Sequence, residues 1–140
     1  ILFIERALAH RQSLEDIRLW NERACNDGFT ITESGLAYKV IEKANGTLAE
    51  PGDKVKVHYT GYLTNGRKFD SSYDRNIPFE FTIAKGMVIK GWDEGLQLMN
   101  VGSRYLFRIP ADLAYGNRAV GNVIPPNATL YFDVVLLSVE

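Results

Sequence analysis

Apolar positions along the chain switch between a helical period and the alternation of strands. Residues Ile1 to Asn26 contain neither glycine nor proline, and Phe3, Ala7, His10, Leu14, Ile17, Asn21 and Ala24 recur at alternating spacings of four and three. That spacing is one helix face, with Arg6, Arg11, Glu15, Arg18, Glu22 and Arg23 mostly off it. Asn26-Asp27-Gly28 supplies the stop, Gly28 being suited to the left-handed residue that closes a helix. Such a helix reaches roughly 39 Å at 1.5 Å per residue, more than one face of a small domain requires. Two readings stay open: the stripe packs in part on the domain, or the helix is a spacer or dimerisation segment. His10 and Asn21 on the stripe tell against a pure coiled coil.

From Phe29 the pattern becomes that of a sheet. Leu36 to Ile41 reads as a strand, followed by turn chemistry at Asn45-Gly46 and Pro51-Gly52-Asp53. Lys54 to Thr60 alternates, which puts Val55, Val57 and Tyr59 on a buried face. Asn65-Gly66 is a hairpin signal, and Phe79 to Ile83 alternates again. Ile89, Trp92, Leu96 and Met99 then follow helical spacing up to Gly102, and Tyr105 to Ile109 and Leu130 to Val139 supply two more strands. The pattern predicts an α+β fold, an antiparallel sheet with one short helix filling its concave face. The boundary between the N-terminal helix, residues 1–28, and this body, residues 29–140, falls between Gly28 and Gly35.

Length and composition narrow the function classes. The chain has 140 residues, 46% hydrophobic and 24% charged, enough for one domain with a core and an appendage. Sixteen basic against seventeen acidic residues leave a net charge of -1, which argues against a nucleic-acid partner and gives no reason to expect direct membrane contact. The longest apolar run is too short to span a bilayer. Cys25 is the sole cysteine, so an intramolecular disulfide and a cysteine-based zinc cluster are excluded. The chain opens on Ile1-Leu2-Phe3-Ile4 without an initiator methionine, and the expectation is a processed product whose targeting signal lies upstream.

Familiar catalytic apparatus is missing from the pattern. A nucleophile triad needs a histidine beside a serine or cysteine and a carboxylate, yet only His10 and His58 exist. His58 falls on the polar face of its strand and is expected at the surface. Gly86-Met87-Val88-Ile89-Lys90-Gly91 has the glycine spacing of a phosphate loop, but Trp92-Asp93 follows instead of Lys-Ser/Thr. Carboxylates lack calcium-loop spacing and histidines are too few for zinc, so neither a metal nor another cofactor is expected.

What remains is a set of aromatics near strand ends and turns: Tyr59, Phe69, Phe79, Phe81, Trp92, Tyr115 and Phe132. Spacing alone reads them as core. Their context adds more. Val57-His58-Tyr59-Thr60-Gly61, Lys68-Phe69-Asp70-Ser71-Ser72, Val88-Ile89-Lys90-Gly91-Trp92, Ala114-Tyr115-Gly116 and Ile124-Pro125-Pro126-Asn127-Ala128-Thr129-Leu130, then Phe132-Asp133-Val134, closely resemble the FKBP family of peptidyl-prolyl cis-trans isomerases from about Glu33 to Glu140.

The resemblance implies a strongly twisted antiparallel half-barrel around the short helix. It implies that Tyr59, Phe69, Phe79, Val88, Ile89, Trp92, Ile124 and Phe132 wall a hydrophobic proline pocket with Trp92 as floor. Asp70 and Tyr115 are then polar groups at its rim, and the Ile89 backbone N–H a donor to a substrate carbonyl; Tyr59, Asp70, Ile89 and Tyr115 are the candidate catalytic positions. Rotation about a peptide bond faces a barrier of ~18–20 kcal/mol, and X-Pro bonds exchange only over tens of seconds or more. No bond is made or cut, so neither nucleophile nor metal is needed. Expected partners are proline-containing polypeptides and macrolide inhibitors. Val120 and Met87 stand where well-known eukaryotic members carry histidine and glutamate, which bears on substrate preference and macrolide affinity. The entry Thr32-Glu33-Ser34-Gly35-Leu36 and the preceding helix look most like the bacterial branch similar to macrophage infectivity potentiator and periplasmic FKBP-type proteins. Members of that branch often dimerise through an N-terminal helical region and help folding outside the cytoplasm, which implies a homodimer and an extracytoplasmic location here. The rival reading is a proline-binding chaperone module with little turnover.

Overall fold

The alternation at Lys54 to Thr60 is carried into the sheet's long inner strand. The computed structural model describes residues 29–121 and 123–140; the helix expected over residues 1–28, with its Gly28 stop, lies outside the described residues. Strands β1 (Thr30–Ile31), β2 (Ala37–Glu42), β3 (Lys54–Tyr62), β4 (Lys68–Ser71), β5 (Phe79–Thr82), β6 (Arg104–Ile109) and β7 (Leu130–Val139) form one antiparallel sheet. Its order is β1-β2-β6-β7-β3-β4, and β5 also pairs with β3. The pairing of β3 with β7 runs from Val55↔Val139 to Tyr62↔Tyr131 through an irregularity at Lys56/Val57. β3 meets β5 through its first half and β4 through its second, so the residues following Val57 lie at the junction of three strands. Val55, Val57 and Tyr59 are buried, as their alternation requires.

The short helix packs on the same face as those side chains. Helix α2 (Lys90–Gly95) tightens into a 3₁₀ turn at Leu96–Leu98, and Trp92, Leu96 and Met99 are completely buried. Two glycines one helical turn apart let it sit close to β6. A Cβ at Gly91 would lie 2.6 Å from Ile109 Cγ2, and one at Gly95 would lie 2.8 Å from Phe107 Cε1. The helix is shorter than its apolar spacing predicts. Ile89 is its extended N-cap and Met99 is already extended, so regular structure stops well before Gly102. Gly102 serves the next turn, donating its N–H to Leu136 O at 2.8 Å.

Two local features went beyond the periodicity reading. A one-turn helix α1 (Ser72–Arg75) follows β4, capped by the Ser71 hydroxyl, which accepts from Tyr73 N, and closed by Asn76 in the left-handed region at φ 58°. His58 is half-buried, not simply at the surface. Its Nδ1 lies 2.7 Å from Ser72 Oγ and its ring stacks on Tyr73 at 4.4 Å.

Candidate functional site

Trp92 projects from α2 into a ring of aromatic side chains supplied by the sheet. Tyr59 of β3 meets it edge-on at 4.9 Å between ring centroids, and Phe132 of β7 meets it at 5.3 Å and 90°. Phe79, at the start of β5, stands 5.9 Å away at 77°, and Phe81 5.7 Å away at 53°. Edge-to-face contacts of this kind add about 0.5–1.5 kcal/mol each beyond area burial, so the cluster is rigid as well as apolar. Phe69 of β4 completes it by packing on Phe132 at 5.5 Å. Gly61 makes that possible: a Cβ there would fall 2.6 Å from Phe69 Cζ and 2.9 Å from Phe132 Cε1. Trp92 Nε1 is buried with no hydrogen-bond partner among the described residues. An unmet buried donor costs about 1–3 kcal/mol, a penalty more often tolerated at a working site than in plain core.

A polar triad joins Tyr59 of this ring to Asp70 and Arg75. The Tyr59 hydroxyl donates to Asp70 Oδ2 at 2.5 Å, and the Arg75 guanidinium donates to Asp70 Oδ1 at 2.7 Å and to the Tyr59 hydroxyl at 2.9 Å. Asp70 is completely buried. Burial first, and the hydrogen bond to Asp70 second, push the Tyr59 phenol well above the ordinary tyrosine range. Tyr115 is half-buried against the same core, and burial, then the charge of Asp70, push its phenol up to about 12. Both phenols are therefore neutral near neutral pH.

Loops add further apolar side chains to the cluster. Val88 and Ile89 are buried at 9% and 8% exposure and join the same apolar cluster. The loop before them is pinned by Asp93 of α2, whose carboxylate accepts from Ala84 N at 2.9 Å and Gly86 N at 3.3 Å. Ala84 adopts φ 64°, a conformation unfavourable for a residue with a Cβ. As the N-cap of α2, Ile89 carries one of the backbone N–H groups that a helix cannot satisfy by itself. Ile124 is buried and held by an isolated bridge to Val120, with Val120 N donating to Ile124 O at 2.8 Å.

The structure thus gathers Tyr59, Phe69, Val88, Ile89, Trp92, Ile124 and Phe132 into one core cluster, with Phe79 and Tyr115 packed against it and Asp70 hydrogen-bonded to Tyr59. Two participants escaped the sequence reading. Arg75 lies on the unforeseen helix α1, and the pinning role of Asp93 depends on a loop whose path no periodicity encodes. Among the described residues no group of three His, Cys, Asp or Glu side chains is arranged to hold a metal ion. The arrangement is a closely packed aromatic cluster around Trp92 with a polar triad attached to it through the Tyr59 hydroxyl.

Comparison with known proteins agrees with that chemistry. The family model described as FKBP-type peptidyl-prolyl cis-trans isomerase matches residues 46–137. FK506-binding protein 1A of Neurospora crassa is 50% identical over 107 residues, covering 76% of this chain and 89% of that protein. The FKBP-type peptidyl-prolyl cis-trans isomerase FkpA of Aeromonas hydrophila is 45% identical over 98% of this chain, which spans only 52% of the relative's length. The crystal structure of FkpA from Escherichia coli superposes with a TM-score of 0.76 at 39% identity, covering 90% of this chain and 58% of that one.

Proposed function

The chain belongs to the FKBP-type peptidyl-prolyl cis-trans isomerase family, and from that premise we propose that the aromatic well above Trp92 is where it binds proline and lowers the barrier to X-Pro rotation. The observation that carries this assignment is the enclosure of Trp92 by the perpendicular rings of Tyr59, Phe79 and Phe132. In this reading Phe69, Val88, Ile124 and Phe132 complete the walls, and the Ile89 N–H holds a substrate carbonyl. Tyr115 and the Tyr59–Asp70–Arg75 triad set the polarity of the site.

The mechanism needs no proton transfer. A planar amide carries charge separation that a twisted one loses, so a desolvated apolar well disfavours the ground state more than the transition state. Fixing the proline ring while the preceding carbonyl swings adds an orientational gain. A barrier lowered by roughly 5 kcal/mol accelerates exchange by about 10³–10⁴. A protease-coupled exchange assay on a short X-Pro peptide tests the assignment. Trp92→Leu is expected to lower kcat/KM by roughly tenfold or more while the near-ultraviolet circular dichroism of a folded protein persists. Undiminished turnover in that variant would remove Trp92 from the site.

The substrates proposed are proline-containing segments of unfolded or folding polypeptides, with FK506-type macrolides as competitors. The reading extends to an extracytoplasmic setting, in line with the similarity to FkpA along 98% of the chain, and to residues 29–140 as the catalytic unit, with residues 1–28 as a spacer or dimerisation segment.

A further inference from the structure

The sequence carries two Asn-Gly pairs, Asn45-Gly46 and Asn65-Gly66, and neither belongs to the aromatic cluster. In such a pair the backbone nitrogen of the glycine can reach the asparagine side-chain amide, with no Cβ to obstruct its approach. Attack of that nitrogen on Cγ closes a succinimide ring. The structure places the two pairs in opposite circumstances.

Asn65-Gly66 is locked. It turns the chain from β3 to β4, where the Gly66 N–H donates to Leu63 O at 2.9 Å and Asn65 Oδ1 accepts from Arg67 N at 2.9 Å. Gly66 is buried, and Leu63 N closes the same turn by donating to Arg67 O at 2.9 Å. Both reacting groups are therefore committed, and each hydrogen bond that must open first slows ring closure by roughly two- to tenfold. Asn45-Gly46 lies between β2 and β3, outside any strand or helix, with both residues exposed. Its neighbours are tied down: Ala44 N donates to the Ser103 hydroxyl at 2.9 Å, and Thr47 O accepts from Val101 N at 2.9 Å. Gly46 O accepts from Asn100 Nδ2 at 3.0 Å, and a Cβ at Gly46 would collide with the Val101 carbonyl, so the position takes glycine. Among the described residues, though, neither the Asn45 side chain nor the Gly46 N–H has a hydrogen-bond partner.

We propose that Asn45 is a site of spontaneous deamidation in the folded protein, and that Asn65, in the same Asn-Gly sequence, is protected by its turn. The Gly46 nitrogen gives up its proton to solvent base and bonds to Asn45 Cγ; the Cγ–Nδ2 bond breaks and the side-chain nitrogen leaves as ammonia. Water then opens the succinimide. Hydrolysis at Cγ yields aspartate, whereas hydrolysis at the main-chain carbonyl yields isoaspartate, whose backbone runs through Cγ and is longer by a methylene. Either product adds a negative charge to a chain whose net charge is -1. The isoaspartyl form also lengthens a segment held at both ends, by Ser103 and by Val101.

The test is peptide mapping by liquid chromatography and mass spectrometry of the full chain, incubated folded at neutral pH and, in parallel, unfolded in guanidinium chloride. In the folded protein aspartate and isoaspartate are expected to accumulate at position 45 roughly tenfold or more faster than at position 65. In the denaturant the turn is gone, and the two positions should react at comparable rates. The acidic form that builds up on ion exchange of the folded parent should be absent from Asn45→Ser. Equal rates at both positions in the folded protein, faster reaction at Asn65, or build-up of the acidic form in Asn45→Ser at the parent's rate would overturn the proposal. So would a gap that persists undiminished in denaturant, which would assign the difference to neighbouring side chains and not to the fold.

Discussion

Asp70 illustrates how much a single buried carboxylate asks of its neighbours. Its side chain is 1% exposed and depends on Tyr59 and Arg75 for its hydrogen bonds. Removing one partner of a buried ion pair strands the other charge, typically at about 3–5 kcal/mol. Arg75→Met is therefore expected to destabilise the protein by roughly 3 kcal/mol, and Asp70→Asn in the same chain to restore part of that loss; urea denaturation of both variants checks it. Tyr59 makes a second prediction. Its folded phenol ionises well above the unfolded one, so the native state keeps its proton where the unfolded state has released it. That contribution is fully present below about pH 10, the unfolded value, and is lost as pH rises towards the folded one. The unfolding free energy from urea melts should fall above pH 10, less steeply in Tyr59→Phe by up to about 1.4 kcal/mol per pH unit. Between about pH 6 and 8 both site phenols stay neutral, and kcat/KM is expected to be flat there.

Helix α2 carries Trp92, and its sequence Lys90-Gly91-Trp92-Asp93-Glu94-Gly95 meets a different neighbour on each face. Trp92 points into the aromatic ring, Gly91 and Gly95 face β6, and Asp93 grips the loop that leads to Met87. Glu94 reaches the start of the described chain, accepting from Thr32 Oγ1 at 2.8 Å and from Ser34 Oγ at 2.5 Å. Glycines are poor helix formers, at about 1 kcal/mol each relative to alanine. Here that loss is outweighed by close approach. Gly95→Ala puts a methyl group 2.8 Å from the Phe107 ring and is expected to destabilise the fold by about 1–3 kcal/mol despite its better helix propensity. A melting temperature above that of the parent would show that the helix moves outward at no penalty.

At the scale of the molecule, the sheet brings aromatic residues far apart in sequence into one cluster, while the chain before Phe29 stays remote from every candidate site residue in sequence. Catalysis and the N-terminal segment are therefore expected to separate. A chain beginning at Phe29 should turn over a short X-Pro peptide within a few-fold of the parent, whereas refolding of a large proline-limited protein should suffer more, since the dimer proposed above would offer two sites to one client. Loss of short-peptide turnover in a truncated protein that is demonstrably folded would mean that residues 1–28 help build the well. Truncation also removes Trp20 and leaves Trp92 as the sole tryptophan. Saturating FK506 should then change its emission, and an unchanged spectrum would place the macrolide elsewhere.

Much of this architecture follows from local order. The alternation of Val55, Val57 and Tyr59, the spacing of Trp92, Leu96 and Met99, and the Asn65-Gly66 turn each report a choice made within a few residues, because period and turn chemistry are properties of the local backbone. The choice of which aromatic side chains line a proline pocket rests on family resemblance and not on spacing. Other facts belong to the tertiary structure alone. Arg75 becomes a partner of Asp70 and Tyr59 only because a single helical turn, too short for any periodicity, carries it back over β3 and β4. His58 is drawn from the expected surface into contact with Ser72 and Tyr73 by that same turn. Gly61, Gly91 and Gly95 look like weak points of a strand and a helix until the rings and methyl groups they admit are placed against them. Local sequence determines which way each side chain points along its own element; what it meets there depends on segments distant in the chain, and that is decided only when the sheet closes over the helix.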